Sequence, residues 1–136
     1  MELDEARAFL RDHHRAVLHT YRHDGSPQLS PVVTTVDDDG YAVVSTRETA
    51  LKVANLERDP RASMCVISDA FFGPWVRVDG HATIVRLPEA MELLVDYYRR
   101  VAGEHPDWDD YRRAMSEERR VLLRIELTDA GPDVSG

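Results

Sequence analysis

Two short turn-forming links near the start of the chain limit its topology more than any other feature. His23-Asp24-Gly25-Ser26-Pro27 separates the branched and aromatic run 16–21 from a Val- and Thr-rich run, 28–36, and Asp37-Asp38-Asp39-Gly40 separates that run from the apolar stretch 41–45. Glycine supplies the backbone freedom of a tight turn while Asp, Ser and Pro favour its other positions, so each link reverses the chain within a few residues. A parallel crossover needs a dozen residues or more. The first three strands therefore read as an antiparallel meander, and the chain lacks the alternating rhythm of a parallel α/β sheet.

The remaining elements follow from periodicity. Asp4 is expected to cap a first helix with Leu3, Ala6, Phe9 and Leu10 on one face, closed by His13 and His14. Those adjacent histidines point about 100° apart, poor geometry for sharing a metal. After the meander, Ser45 and Thr46 lead into a helical pattern that Asp59-Pro60 stops. A fourth strand, 62–67, is apolar almost throughout, which suits burial on both faces, with Cys65 inside it as a small hydrophobe. Beyond Phe71-Phe72-Gly73-Pro74-Trp75, residues 76–85 begin in strict alternation, and Asp79-Gly80 marks either a hairpin turn or a bulge in one long bent strand. Pro88 opens a helix carrying Met91, Leu94, Val95 and Tyr98 and ending at Gly103; Asp107 opens another with Trp108, Tyr111 and Met115 as its stripe. Residues 120–127 alternate as a closing strand. The expected fold is mainly β: a small antiparallel barrel with helices plugging or flanking it, one domain over 1–130, and a flexible C-terminal tail over 131–136.

Composition removes several functions. A formal charge of -8 and a pI near 5.2 argue against a general nucleic-acid binder, so any anion site here is local. The single cysteine rules out an internal disulfide and a thiolate zinc site. No apolar run approaches the ~18 residues of a membrane span, and Met1-Glu2-Leu3-Asp4-Glu5 lacks the basic-then-apolar pattern of a secretion signal, so a soluble, cytoplasmic protein without membrane partners is expected. The three aspartates before Gly40 lack the further oxygen ligands of a calcium loop. G-x-G-x-x-G after a strand, a Walker A loop, a G-x-S-x-G elbow and H-E-x-x-H are all absent. The pairs Glu117-Glu118 and Asp109-Asp110 read as solvated helix faces and caps. An enzyme without its own nucleophile, metal or evident acid–base pair takes its reactivity from a cofactor, or is not an enzyme.

One residue stands apart. Lys52 is the only lysine of the chain, every other cationic side chain being arginine unless a histidine is protonated. It sits just inside the helix that follows Ser45 and Thr46, where free backbone N–H groups attract anions. The stretch 45–60 is either a phosphate site with a mobile cation over it or an ordinary solvated helix start.

Further residues connect it to a known family. Gly25-Ser26-Pro27-Gln28-Leu29-Ser30-Pro31-Val32, Ser45-Thr46 and Lys52-x-x-Asn55-Leu56-x-x-Asp59-Pro60 together resemble the pyridoxamine 5′-phosphate oxidase-like split-barrel superfamily. Tyr98-Arg99-Arg100-Val101-Ala102-Gly103-Glu104-His105-Pro106-Asp107-Trp108-Asp109-Asp110-Tyr111-Arg112 and Arg119-Arg120-Val121-Leu122-Leu123 resemble its actinobacterial branch, which uses the deazaflavin coenzyme F420 instead of FMN. The resemblance spans nearly the whole chain. It implies an FMN-binding-like Greek-key barrel and a homodimer whose cofactor grooves lie between subunits.

Carried over by position, Lys52 matches the phosphate-binding lysine, with Ser45 and Thr46 at the adjoining strand end. Gln28, Ser30 and Pro31 match the strand along the deazaflavin ring, and Arg119 or Arg120 a basic position near the acidic cofactor. Trp75 falls near an aromatic position that borders the site from the other subunit. Where relatives often carry a second cation two positions before the lysine, this chain has Ala50, and Arg47 is the candidate to replace it. The implied activity is hydride transfer from F420H2 to a conjugated small-molecule acceptor of enone, quinone or tetrapyrrole type, with no general acid marked. The alternatives are an FMN-dependent oxidase or reductase, a haem or tetrapyrrole module using His19, His23 or His81, and a non-catalytic F420 or flavin carrier.

Overall fold

The computed structural model describes residues 1–132. Its six strands are β1 (Arg15–Tyr21), β2 (Pro27–Val36), β3 (Ala42–Arg47), β4 (Arg61–Ile67), β5 (Trp75–Val85) and β6 (Arg120–Gly131). They close into a barrel in the order β1-β2-β3-β6-β5-β4, every neighbouring pair antiparallel. The barrel and its flanking helices bear out the fold read from the two turns.

Alternation sorts the strands into an inside and an outside. Ala16, Leu18 and Thr20 of β1, Ala62, Met64 and Val66 of β4, and Val76 and Val78 of β5 are buried. All of these but the polar Thr20 join Val36, Val44, Leu123 and Ile125 in one core. Ala6 and Leu10 of helix α1 (Leu3–Asp12) and Val53 and Leu56 of helix α2 (Leu51–Arg58) complete that core. A second core lies outside the barrel wall. There Val43 of β3 and Leu122 of β6 meet Leu94, Val95 and Tyr97 of α3 (Met91–Ala102) and Tyr111 and Met115 of α4 (Trp108–Glu117). Each fully buried aliphatic side chain contributes about 1.5–3 kcal/mol, which fixes the α3–α4 pair on the β3–β6 exterior.

Several local expectations are corrected. Asp4 does not cap α1; Glu2 holds the cap position without a side-chain bond, and Asp4 accepts from Arg7 within the first turn. Ser45 and Thr46 do not open α2: the ladder to β6 runs on through Arg47 opposite Arg120, and the helix starts only at Leu51 with Ala50 at its cap. Ladder pairing with β6 satisfies the backbone there, so the hydroxyls are not needed as caps. Likewise α3 begins at Met91, with Pro88 in the preceding turn. β4 is not buried on both faces. Its apolar run hides the alternation because Cys65 and Ile67 on the outward side are apolar too, and Cys65 is exposed.

Other details resolve as foreseen. Asp107 caps α4 by accepting from the Asp110 N–H, and Gly103 ends α3 with a φ of 83°. Of the two readings of Asp79-Gly80, the structure shows one long β5 and no hairpin; the register shifts beside Asp79 and Gly80, with the extra residue, Thr128, on β6. A Cβ on Gly80 would lie 2.0 Å from the Glu126 carbonyl oxygen, so only glycine permits this approach. Gly131, read with the tail, closes β6 opposite Arg77, and residues 133–136 lie outside the described residues.

The two halves of the barrel surface differ. α3 and α4 cover the β3–β6 side, whereas the exteriors of β1, β2, β4 and β5 leave Val17, Leu29, Val33, Cys65 and Trp75 open. Cross-strand pairing makes them neighbours, with Val17 opposite both Pro31 and Cys65, Arg15 opposite both Val33 and Ile67, and Ile67 opposite Trp75. Phe71 and Phe72, in the β4–β5 link, are 75% and 98% exposed.

Candidate functional site

A groove of about 850 Å³ runs between the uncovered wall and the α3–α4 pair. One side is formed by Arg15, Val17, Pro31, Val33 and Ile67 of β1, β2 and β4, the other by Tyr97, Tyr98, Tyr111 and Met115 of the helices. Ser45, Thr46, Lys52 and Arg120 also line it. The helical wall is braced. The rings of Tyr98, His105, Trp108 and Tyr111 pack with centroids 5.1–5.7 Å apart, and the Tyr111 hydroxyl donates to the Leu94 carbonyl at 2.8 Å. The Tyr97 hydroxyl donates to the Val33 carbonyl at 2.9 Å and so ties α3 to β2. Burial holds both phenols neutral, pushing Tyr97 up and Tyr111 up to about 12.

Lys52 is the second residue of α2, and its Nζ lies 3.4 Å from the Thr46 Oγ1. Among the described residues no carboxylate pairs with it. Partial burial, and then the positive field of Arg120, lower its pKa. Half-buried, short of a counter-charge and beside a second cation, this ammonium favours an anion in the groove. Arg120, the first residue of β6, gives its Nε and Nη2 to the Glu118 Oε1 at 3.1 and 2.9 Å.

The groove gathers part of the predicted set. Lys52, Ser45, Thr46, Pro31 and Arg120 line it, and Arg119 does not. Arg119 is exposed, has a φ of 51°, and acts through its backbone, its N–H on the Ser116 carbonyl and its own carbonyl receiving the Glu48 N–H. Of the two arginines, Arg120 is thus the one at the groove. Arg47 is not in the groove either. It is 62% exposed, 3.4 Å from the Glu118 Oε1, so the second cation of this end is Arg120 and not Arg47.

Gln28 and Ser30 fall on the other side of β2 from Pro31. The Gln28 Oε1 accepts from the Thr20 hydroxyl, which in turn accepts from the buried Asn55, and Arg58 donates to the Asn55 Oδ1. This chain of bonds holds α2 on the β1–β2 hairpin, a structural use of Gln28 and Asn55. The Ser30 Oγ is buried without a hydrogen-bond partner. Trp75 stands on the uncovered face and does not line the groove of its own chain.

Of the histidines weighed as haem ligands, His19, His23 and His81 do not line the groove. Among the described residues no group of three or more His, Cys, Asp or Glu is placed to hold a metal, and no helix is long and apolar enough to cross a membrane.

Residue periodicity did not mark the helical wall as a site. Met115 and Tyr111 belonged to an apolar stripe indistinguishable from core, and Tyr97 lay one position off the α3 stripe. An amphipathic aromatic beside a stripe that is already apolar was the available signal. Chemically, aromatic and aliphatic walls with two cations suit a flat conjugated ring that carries an anionic extension.

The sequence model of a family described as "Pyridoxamine 5'-phosphate oxidase" matches residues 3–131. An F420H(2)-dependent biliverdin reductase from Mycobacterium tuberculosis is 29% identical over 125 residues, which cover 91% of this chain and 82% of that protein. The crystal structure of a conserved hypothetical protein, Rv2991, from the same organism superposes with a TM-score of 0.77 at 26% identity, covering 100% of this chain and 92% of the other. A structure described as an F420 reductase superposes with a TM-score of 0.71 at 20% identity, covering 92% and 94%, a likeness of fold.

Proposed function

Because the chain belongs to the pyridoxamine 5′-phosphate oxidase family, we propose that it is an F420-dependent reductase that reduces a conjugated small molecule of enone, quinone or tetrapyrrole type. The observation that carries this reading is the half-buried Lys52 beside Arg120, a cationic pair without its full counter-charge at a groove walled by aromatic and aliphatic groups. The F420H(2)-dependent relative, similar over nine-tenths of this chain, favours the deazaflavin over FMN.

When bound, the reduced deazaflavin supplies a hydride. The protein's own part is binding, orientation and exclusion of water. Lys52 and Arg120 would hold the phosphate, with the hydroxyls of Ser45 and Thr46 beside them. The Pro31 to Val33 edge and Tyr97, Tyr98 and Met115 would provide an apolar bed for the ring, and none of these residues is assigned as a proton donor.

The open apolar face supports a homodimer. Val17, Pro31 and Val33 belong both to that face and to the groove, so a second copy seated there narrows the groove and brings its Trp75 to the partner's site. The exposed lone thiol of Cys65 suits the reducing cytoplasm, the compartment we assign.

Titration of the purified protein with F420 and with FMN, read by fluorescence, tests the reading. Saturable F420 binding together with F420H2 oxidation in the presence of biliverdin, quinones or enones is the expected result. Tight FMN binding with a yellow preparation would make the protein a flavin enzyme on the same barrel, and F420 binding without turnover on any acceptor would make it a carrier.

A further inference from the structure

Arg47 and Arg120 stand directly opposite each other across the β3–β6 ladder, where two like charges repel. One carboxylate oxygen joins them. The Glu118 Oε1 lies 3.4 Å from the Arg47 Nη2 and accepts from the Arg120 Nε and Nη2 at 3.1 and 2.9 Å. A guanidinium offers two bidentate edges, the side edge of Nε with one Nη and the terminal edge of both Nη atoms. Glu118 takes the side edge of Arg120 and leaves Nη1 ungripped. Glu118 and Arg120 are both about one-third exposed or less, so the grip is held partly away from water, and the carboxyl sits below its usual pKa, chiefly through the Arg120 hydrogen bonds.

We propose that Glu118 is a positioning residue for Arg120: it fixes the side edge of the guanidinium so that the terminal edge stays available to an anionic ligand in the groove. The inference rests on the groove being the cofactor site. It opposes the simpler electrostatic expectation, in which a carboxylate beside a cationic site weakens anion binding and its removal strengthens it. The two accounts give opposite signs for one substitution.

In Glu118→Ala the grip and the negative charge both go. If Glu118 positions Arg120, affinity for F420 falls by about tenfold, the equivalent of ~1.4 kcal/mol, although the site has become more positive. In Glu118→Gln the amide oxygen still accepts from Arg120 while the charge is gone, so affinity returns to the wild-type level or above it. Glu118→Ala binding as tightly as wild type, or more tightly, overturns the proposal, as does Glu118→Gln binding as weakly as Glu118→Ala.

A ligand-free readout separates this from the functional reading. The Arg120 Nε–H resonance in a 15N-edited NMR spectrum of the whole chain is expected as a distinct, shifted signal in wild type and Glu118→Gln, and collapsed toward free-arginine positions in Glu118→Ala. An unchanged Arg120 signal in Glu118→Ala overturns the positioning role whether or not F420 binds. Absence of F420 binding to wild type, with the Arg120 signal behaving as expected, overturns the cofactor reading alone.

Discussion

Replacing Lys52 by methionine is expected to move stability and ligand affinity in opposite directions. Methionine keeps an unbranched stem against the wall of the groove and deletes the ammonium, the hydrogen bond to Thr46 at 3.4 Å being too long to contribute much. In the folded protein Lys52 has a lowered pKa, first through burial and then through Arg120, so its charged form is disfavoured relative to the unfolded chain. The unfolded state therefore binds more protons between the lowered folded pKa and the ordinary lysine value of 10.5. Wild-type stability relative to Lys52→Met should rise as pH climbs through that window, and at neutral pH the lysine costs stability. The gain in Lys52→Met is read as a rise in Tm, each 1 kcal/mol being worth about 3–4 °C in a chain of this size. On the ligand side, removing one charge-assisted bond to a phosphate costs ~1.5–3 kcal/mol, which is about 12- to 160-fold in Kd. Differential scanning fluorimetry between pH 7 and 10, with and without F420, and a fluorescence titration measure both effects. A Tm that falls in the ligand-free variant, or an F420 affinity within twofold of wild type, would refute the description of Lys52 as an anion-seeking, under-compensated charge.

Gly80→Ala should destabilise the protein by about 3 kcal/mol or more in urea unfolding, since its Cβ meets a ladder carbonyl at 2.0 Å and not a pliable side chain. Arg120→Ala is expected to weaken F420 binding about tenfold or more, while Arg119→Gly leaves affinity unchanged and keeps or raises stability by ~0.5–1 kcal/mol, because it relieves a non-glycine residue at φ 51°. Titration of unfolding free energy at high pH provides a further check. Tyr111, with its pKa pushed up to about 12, and Tyr97, also raised, give stability that is complete below the ordinary tyrosine pKa of 10 and is lost as pH rises toward 12. Tyr111 alone accounts for about 2 kcal/mol of that loss, and Tyr111→Phe should flatten the decline.

What could be read from residues alone depended on whether neighbours in the chain or neighbours in space set the outcome. The two turns, the Gly103 stop and the Asp107 cap are decided within a few residues, and the structure agrees with each. The start of α2 was not decidable locally. Ser45 and Thr46 carry a capping composition, yet the β6 ladder, some 75 positions away in sequence, claims their backbone. Cys65 misled for a related reason: an apolar run reads the same whether its second face is packed or merely apolar and open. In the site, Lys52 was conspicuous as a singular residue, whereas the resemblance grouped Pro31 with Gln28 and Ser30 and only the structure separates them. Tyr97 and Glu118 were hidden because their importance comes from two elements meeting, α3 on β2 and the α4–β6 corner on β3. Family resemblance supplied Gln28 as a ring contact, and its bond from Thr20 could not be read from the sequence.

Closure of the barrel has a bearing on how this protein can associate. Every strand has a neighbour on each side, but the β2–β3 seam is short: only Thr34 to Val36 pair with β3, and residues 27–33 of β2 are laddered to β1 alone. On the β1–β2–β4–β5 exterior a union of two copies would rest on the side chains of Val17, Leu29, Val33 and Trp75. Such contacts lose strength on cooling, as apolar burial does. Self-association through this face should thus be weaker in the cold room than at 25 °C, and one charge introduced at Val33 should disperse it without disturbing a single ladder bond.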